Sequence, residues 1–121
     1  MNKLAAVLAL AFSTSPALAA NLEITVSGDA NGKIVIHLRD DLAPAHVAQI
    51  SALARQGAYD GVVFHRVIDG FMAQGGDPTG TGQGGSELPD LKAEFNPMPH
   101  VRGTLSMARA SEEDSANSQF F

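Results

Sequence analysis

Apolar and polar residues alternate along Leu22-Glu23-Ile24-Thr25-Val26, the two-residue period of a strand with one buried face. Gly28-Asp29-Ala30-Asn31-Gly32 follows; this is turn chemistry, with Asn31-Gly32 able to take positive φ. Residues 33–38 read Lys-Ile-Val-Ile-His-Leu, so the two runs predict a hairpin. The period then lengthens. Val47, Ile50, Leu53 and Ala54 recur at helical spacing and predict a helix over 44–56. Pro44 suits a first helical turn. The acidic pair Asp40-Asp41 favours that end of the helix dipole, and Gly57 stands where a left-handed residue closes a helix.

After the helix, residues 62–68 are β-branched and aromatic and predict a strand, with Gly70 bending the chain. Six of the eleven residues 75–85 are glycine, which predicts a long loop with little regular structure. Residues 88–99 carry three prolines and read as extended loop. Residues 103–108 predict a strand, 111–118 a polar, acidic exposed loop, and 118–121 the start of another strand. Strands with one clear helix predict a mainly β domain, a barrel or a sandwich with the helix covering it.

The first residues have no such alternation. Leu4 to Phe12 is an unbroken apolar run of nine after Lys3, followed by Ala17-Leu18-Ala19. One positive charge, a short apolar segment and a small-residue site form the pattern of a secretory signal peptide. A spanning helix needs about 20 apolar residues, and a surface helix needs a polar face; the run has neither. The expectation is a signal peptide over 1–19, cleaved after Ala19, then one domain over 20–121. Export places the mature chain in the periplasm.

Composition removes several function classes. With 8 basic against 13 acidic residues, the net charge is −5, which argues against nucleic-acid binding, since phosphates must be neutralised by Lys and Arg. No cysteine is present, so disulfides, thiolate metal sites and cysteine nucleophiles are excluded. His37, His46, His65 and His100 lack metal-ligand spacing; His65 reads as a structural histidine bonded to backbone. No Gly-Lys-Ser/Thr follows the glycines, and Ser106, Ser111 and Ser118 lack a Gly-x-Ser-x-Gly context. What remains is a cation and an amide among large apolar groups: Arg66 between Phe64 and Ile68, just before Phe71, Met72 and Gln74. Such a set makes an apolar pocket with a few orienting polar groups. Asp77 with Thr79 reads as a tie for the glycine loop.

The residues in this stretch carry a resemblance. Phe64-His65-Arg66-Val67-Ile68, Phe71-Met72, Gln74-Gly75-Gly76-Asp77, Thr79, Gly82 and Gly84-Gly85 resemble the signature of the cyclophilin family. Leu105-Ser106-Met107-Ala108 and Ser118-Gln119-Phe120-Phe121 resemble its second signature. The short 79–81 loop and the spacing over 110–117 are similar to bacterial members. The resemblance implies an eight-stranded antiparallel β-barrel capped by helices, and peptidyl-prolyl cis/trans isomerase activity without metal or cofactor. Arg66 matches the catalytic arginine, and Gln74 a side chain that orients it and holds substrate. Phe71, Met72 and Phe121 match the proline pocket, and Gln119 a holder of the substrate backbone. Gly82, Ala108, Arg109 and Ala110 match the groove rim; Arg109 stands where animal members often have asparagine. The implied partners are proline-containing polypeptides, unfolded exported proteins, met by a monomer with no membrane span. The family's remaining pocket wall lies beyond its second signature. The expectation is therefore an N-terminal portion of the domain, with C-terminal strands and a helix missing. Two hypotheses follow: an isomerase that uses Arg66, or a non-catalytic chain, either a module that holds proline segments without turnover or an inactive fragment of the fold.

Overall fold

The computed structural model describes residues 20–121; the predicted signal peptide over 1–19 lies outside the described residues. β1 (Asn21–Val26) and β2 (Gly32–His37) pair antiparallel, from Asn21 opposite His37 to Val26 opposite Gly32. The predicted hairpin forms because Asn31 closes its tip: the Gly28 amide donates to Asn31 Oδ1 at 3.2 Å, and Asn31 Nδ2 donates back to the Gly28 carbonyl at 3.1 Å. Leu22, Ile24 and Val26 are half-buried while their neighbours are exposed, as the alternation predicted.

α1 (Pro44–Arg55) follows, with Ile50 and Leu53 buried at 3% and 2% exposure. The helix ends one residue before the predicted 44–56 boundary, with Gln56 as its cap. Gly57 closes it as expected. Its φ is +73°, its amide donates to Ala54 O at 3.1 Å, and Ala58 N donates to Leu53 O at 3.0 Å. These are the paired bonds of a Schellman cap. The expected acidic start is corrected. The first turn holds no acidic residue, and Asp41 is occupied by a bidentate pair with Arg39 at 2.9 and 2.8 Å. The carboxylate at the helix N-terminus is Glu94, which accepts from Ala45 N at 3.2 Å and His46 N at 2.9 Å. A distant side chain thus satisfies donors that the helix leaves open and complements its dipole.

β3 (Arg66–Ile68) and β4 (Met72–Gln74) form a second antiparallel hairpin. Gly70, at φ +71°, makes the turn, closed by Phe71 N donating to Ile68 O at 3.0 Å. The predicted strand over 62–68 is thus cut to three residues, because 62–65 has no ladder partner among the described residues. The predicted strands 103–108 and 118–121 are corrected in the same way. They form only isolated bridges, Met107 to Phe120 and Gly75 to Phe120. The exposed loop expected over 111–118 holds for 111–114, but Ala116 and Ser118 are buried. Leu91 bridges Ala116, and Ser118 Oγ donates to Gly76 O at 2.7 Å. Leu38, Ile50, Leu53, Ala116 and Phe120 make the buried apolar set. Tyr59 meets Phe120 edge-on at 5.6 Å and donates its hydroxyl to Ser118 O at 2.9 Å.

A closed eight-stranded barrel is not found among the described residues, which form two separate two-stranded sheets and one helix. Closure requires a continuous ladder around the sheet. Here Val35, Val63 and Val67 stay exposed at 62, 57 and 67%.

Candidate active site

Strand register assembles the site. Arg66 lies opposite Gln74, and Ile68 opposite Met72. Directly opposed residues of an antiparallel pair share a face. On the other edge of β4, Gly75 and Phe120 exchange two hydrogen bonds of 3.0 Å, which sets Phe121 beside Gln74. Ser106 and Phe121 exchange two more at 2.9 Å, and Ala108 N donates to Gln119 O at 2.9 Å. The row across these segments is therefore Arg66, Gln74, Phe121, Ser106. Met72, Gln119 and Ala108 stand two residues away along their segments, on the same face. Phe120, one residue out of step, turns inward and is 7% exposed.

The polar groups of this face are linked. Gln74 Nε2 donates to Gln119 Oε1 at 2.9 Å. Gln119 Nε2 donates to the Gly82 and Gly84 carbonyls at 3.1 and 2.8 Å. A cleft of about 330 Å³ runs past Gln74, Gly82, Ala108, Arg109, Ala110 and Gln119. Six of the predicted site residues thus line one cleft, with Arg66 paired to one of them. The Arg66 side chain is exposed and makes no hydrogen bond or ion pair among the described residues. Its guanidinium is therefore free to donate. Arg109 Nη1 is held at the rim by the Ala110 and Ser111 carbonyls at 3.0 and 3.2 Å.

The apolar part of the site is less assembled. Met72 and Phe121 are half-buried and Phe71 sits on the hairpin turn at 74% exposure; none of the three lines the cleft. Phe64 is only half-buried, packed against Gly75. A larger hollow of about 980 Å³ lies between β2, the start of α1 and residues 93–107, lined by Ile36, Val47, Ile50 and Met107 among others. It is mainly apolar and contains neither Arg66 nor Gln74, whereas the linked pair Gln74–Gln119 lines the smaller cleft.

The glycine loop is folded around Asp77, which has no solvent exposure. Its Oδ1 accepts from Thr79 N and Thr79 Oγ1, both at 2.8 Å. Its Oδ2 accepts from Gly82 N at 2.7 Å, Gly84 N at 3.0 Å and Thr81 N at 3.2 Å. Burial alone pushes the carboxyl up, but the bonds from Gly84, Thr79 and Gly82 outweigh it and hold the group well below the usual carboxylate range. Asn117 braces the far end. Its Oδ1 accepts from Ser86 N at 2.8 Å and Ser86 Oγ at 2.6 Å, and its Nδ2 donates to Leu88 O and Asp90 Oδ1, both at 2.9 Å.

Two residues of this face were missed as site residues. Ser106 shares the row with Phe121, and its Oγ lies 3.2 Å from His100 Nε2. His100 meets Phe121 edge-on at 5.9 Å. The alternation with Ala108 was a signal for Ser106; His100 carried none, since its place depends on the path of the 95–101 loop. The reading of His65 is corrected: its Nδ1 is buried without a partner among the described residues, and the ring lies under Gly82.

Residues 21–121 match the family described as "Cyclophilin type peptidyl-prolyl cis-trans isomerase/CLD". A Brucella suis protein named "Probable peptidyl-prolyl cis-trans isomerase" is 55% identical, over 75% of this chain and 52% of its own length. Peptidyl-prolyl cis-trans isomerase B of Bacillus subtilis is 49% identical, over 74% of this chain and 62% of its own. Among solved structures, a Cryptosporidium parvum cyclophilin type peptidyl-prolyl cis-trans isomerase, crystallised in the presence of the dipeptide Ala-Pro, superposes with a TM-score of 0.69. It is 38% identical, over 74% of this chain and 60% of its own. The chain thus spans roughly half to three-fifths of the length of these relatives. The row that joins Arg66 to Gln74 and Phe121, the folded glycine loop and these matches agree: the chain belongs to the cyclophilin-type peptidyl-prolyl cis-trans isomerase family.

Proposed function

We propose that this protein accelerates rotation about Xaa-Pro peptide bonds, with the Arg66 face as its groove. The reaction needs no bond made or broken. Its barrier, about 18–20 kcal/mol, is the loss of amide resonance, and the uncatalysed event takes tens of seconds or more. As the C–N bond twists, electron density localises on the proline nitrogen, which becomes an acceptor. Arg66 donates there. A guanidinium suits this role because it is always charged and rigidly forked. Its attraction grows as charge develops, so it favours the twisted amide over the planar one. Gln74 and Gln119 hold the peptide backbone. Met72, Phe121 and Phe71 take the proline ring, with Phe71 turning in from its exposed position when substrate binds. Gly82, Ala108, Arg109 and Ala110 form the rim.

The observation that carries this reading is the unpartnered guanidinium of Arg66, set by register opposite the hydrogen-bonded pair Gln74–Gln119. A module that only held proline segments would use the same donor for binding, so loss of turnover without loss of binding is what distinguishes the isomerase. The Ala-Pro dipeptide supplied to the Cryptosporidium parvum relative supports the substrate class. The apolar run at Leu4 to Phe12 supports unfolded exported proteins in the periplasm as the clients, and the family resemblance supports a monomer. The test is cis/trans exchange of an Ala-Pro peptide with and without Arg66→Ala. Loss of exchange with the peptide still bound supports the mechanism; an unchanged rate rejects it.

A further inference from the structure

We infer that Asp77 is a positioning residue for the groove: its buried carboxylate folds the 79–84 loop so that the Gly82 and Gly84 carbonyls orient Gln119, and through it Gln74, toward the substrate. This rests on the groove reading above. Asp77 lies beneath the loop and does not line the cleft. Its oxygens nevertheless accept from Thr79, Thr81, Gly82 and Gly84, which is every turn of the loop that carries the two carbonyls.

The chain of contacts has a direction. An amide side chain can in principle present its oxygen or its nitrogen either way round. For Gln119 the choice is forced, because both Gly82 O and Gly84 O are acceptors and take its Nε2. Its Oε1 must then face Gln74, whose Nε2 donates to it. That leaves the Gln74 carbonyl oxygen, which has no partner among the described residues, as an open acceptor on a residue paired by register with Arg66. If the loop shifts, the two carbonyls move, Gln119 is free to flip, and Gln74 loses its anchor. The glycines enforce the same geometry. A Cβ at Gly84 would collide with Asp77 Oδ1 and lie 2.7 Å from Thr79 Oγ1; one at Gly82 would press on His65 at 3.3 Å.

Only an acceptor at both oxygens fits. Asp77→Asn keeps the shape but places an N–H₂ donor where Gly82 N and Gly84 N also donate, so the loop must move. In the intact protein, Asp77→Asn is expected to lower kcat/KM for an Ala-Pro peptide about tenfold, and Gln119→Leu similarly. The double variant should then be no worse than the weaker single, since coupled sites do not add. Losses that multiply, or wild-type kcat/KM in Asp77→Asn, would overturn the inference. Gly84→Ala disturbs the contact from the loop side with the carboxylate intact. It should show the same loss and the same failure to add to Gln119→Leu; full activity would count against the idea. A third arm uses the wild-type protein alone. The Gln119 side-chain amide protons should be shifted and protected in NMR spectra, and a freely exchanging amide would overturn the inference. That arm separates the two readings: an inactive wild-type protein with a protected Gln119 amide rejects the isomerase but keeps the positioning role.

Discussion

Asp77 has no solvent contact, yet its carboxyl stays charged because backbone and threonine donors surround both oxygens. That has a consequence for stability. A carboxyl held lower in the folded chain than in the unfolded one contributes stability that is fully present above the unfolded pKa, roughly 3.9. It is lost as the pH falls below that value toward the folded pKa. Urea midpoints of the wild-type protein should therefore fall steeply between about pH 4 and pH 2, and the fall should be shallower in Asp77→Asn. Parallel curves for the two would contradict this. Arg66 is the opposite case, a charge left without partners at the surface. Its removal should cost little stability, and on the order of 100-fold in kcat/KM if it is the main electrostatic donor to the twisted amide. Peptide isomerisation kinetics and a thermal melt on Arg66→Ala check both halves.

Elements differ in how far they could be read in advance. α1 was legible because its signals are local: Val47, Ile50 and Leu53 at helical spacing, Pro44 at one end and Gly57 at the other. Its N-terminal anchor was not legible, because Glu94 reaches Ala45 from 49 residues away. Removing that contact with Glu94→Ala should destabilise the chain by about 1–2 kcal/mol, read as a lower midpoint in chemical denaturation. Asp41→Ala should leave the midpoint nearly unchanged, since its pair with Arg39 is exposed. Strands were legible only where both partners are near in sequence. The hairpin over 21–37 was placed to within a residue at each end, whereas the strand expected over 103–108 became a single bridge. A strand exists by its neighbour, and the alternation in 103–108 says which face a residue takes but not how long the ladder runs. The site was more legible than the sheet because the resemblance names residues and does not need the ladder length. The two signatures of the resemblance already named Met72, Gln74, Gln119 and Phe121, and register joins Gln74 to Phe121.

At the scale of the molecule, Phe120 connects the core to the groove. Its ring is buried against Tyr59 while its backbone bridges Gly75 on one side and Met107 on the other. Phe120→Ala should cost about 3–5 kcal/mol through the cavity it leaves. It should also lower activity beyond what stability explains, because both bridges set the Arg66–Gln74–Phe121–Ser106 row. A variant with wild-type kcat/KM at a temperature where it stays folded would contradict that link. The larger hollow beside β2 and α1 is mainly apolar, and neither Arg66 nor Gln74 lines it. The central claim is that a free guanidinium on that face, not binding alone, lowers the barrier to rotation. The most direct measurement is NMR exchange spectroscopy of an Ala-Pro peptide titrated with the wild-type protein and with Arg66→Ala, which reads binding and cis/trans interconversion in one experiment. Binding should be similar for the two proteins, and accelerated exchange should be lost in the variant. Accelerated exchange that survives in Arg66→Ala would contradict the central claim.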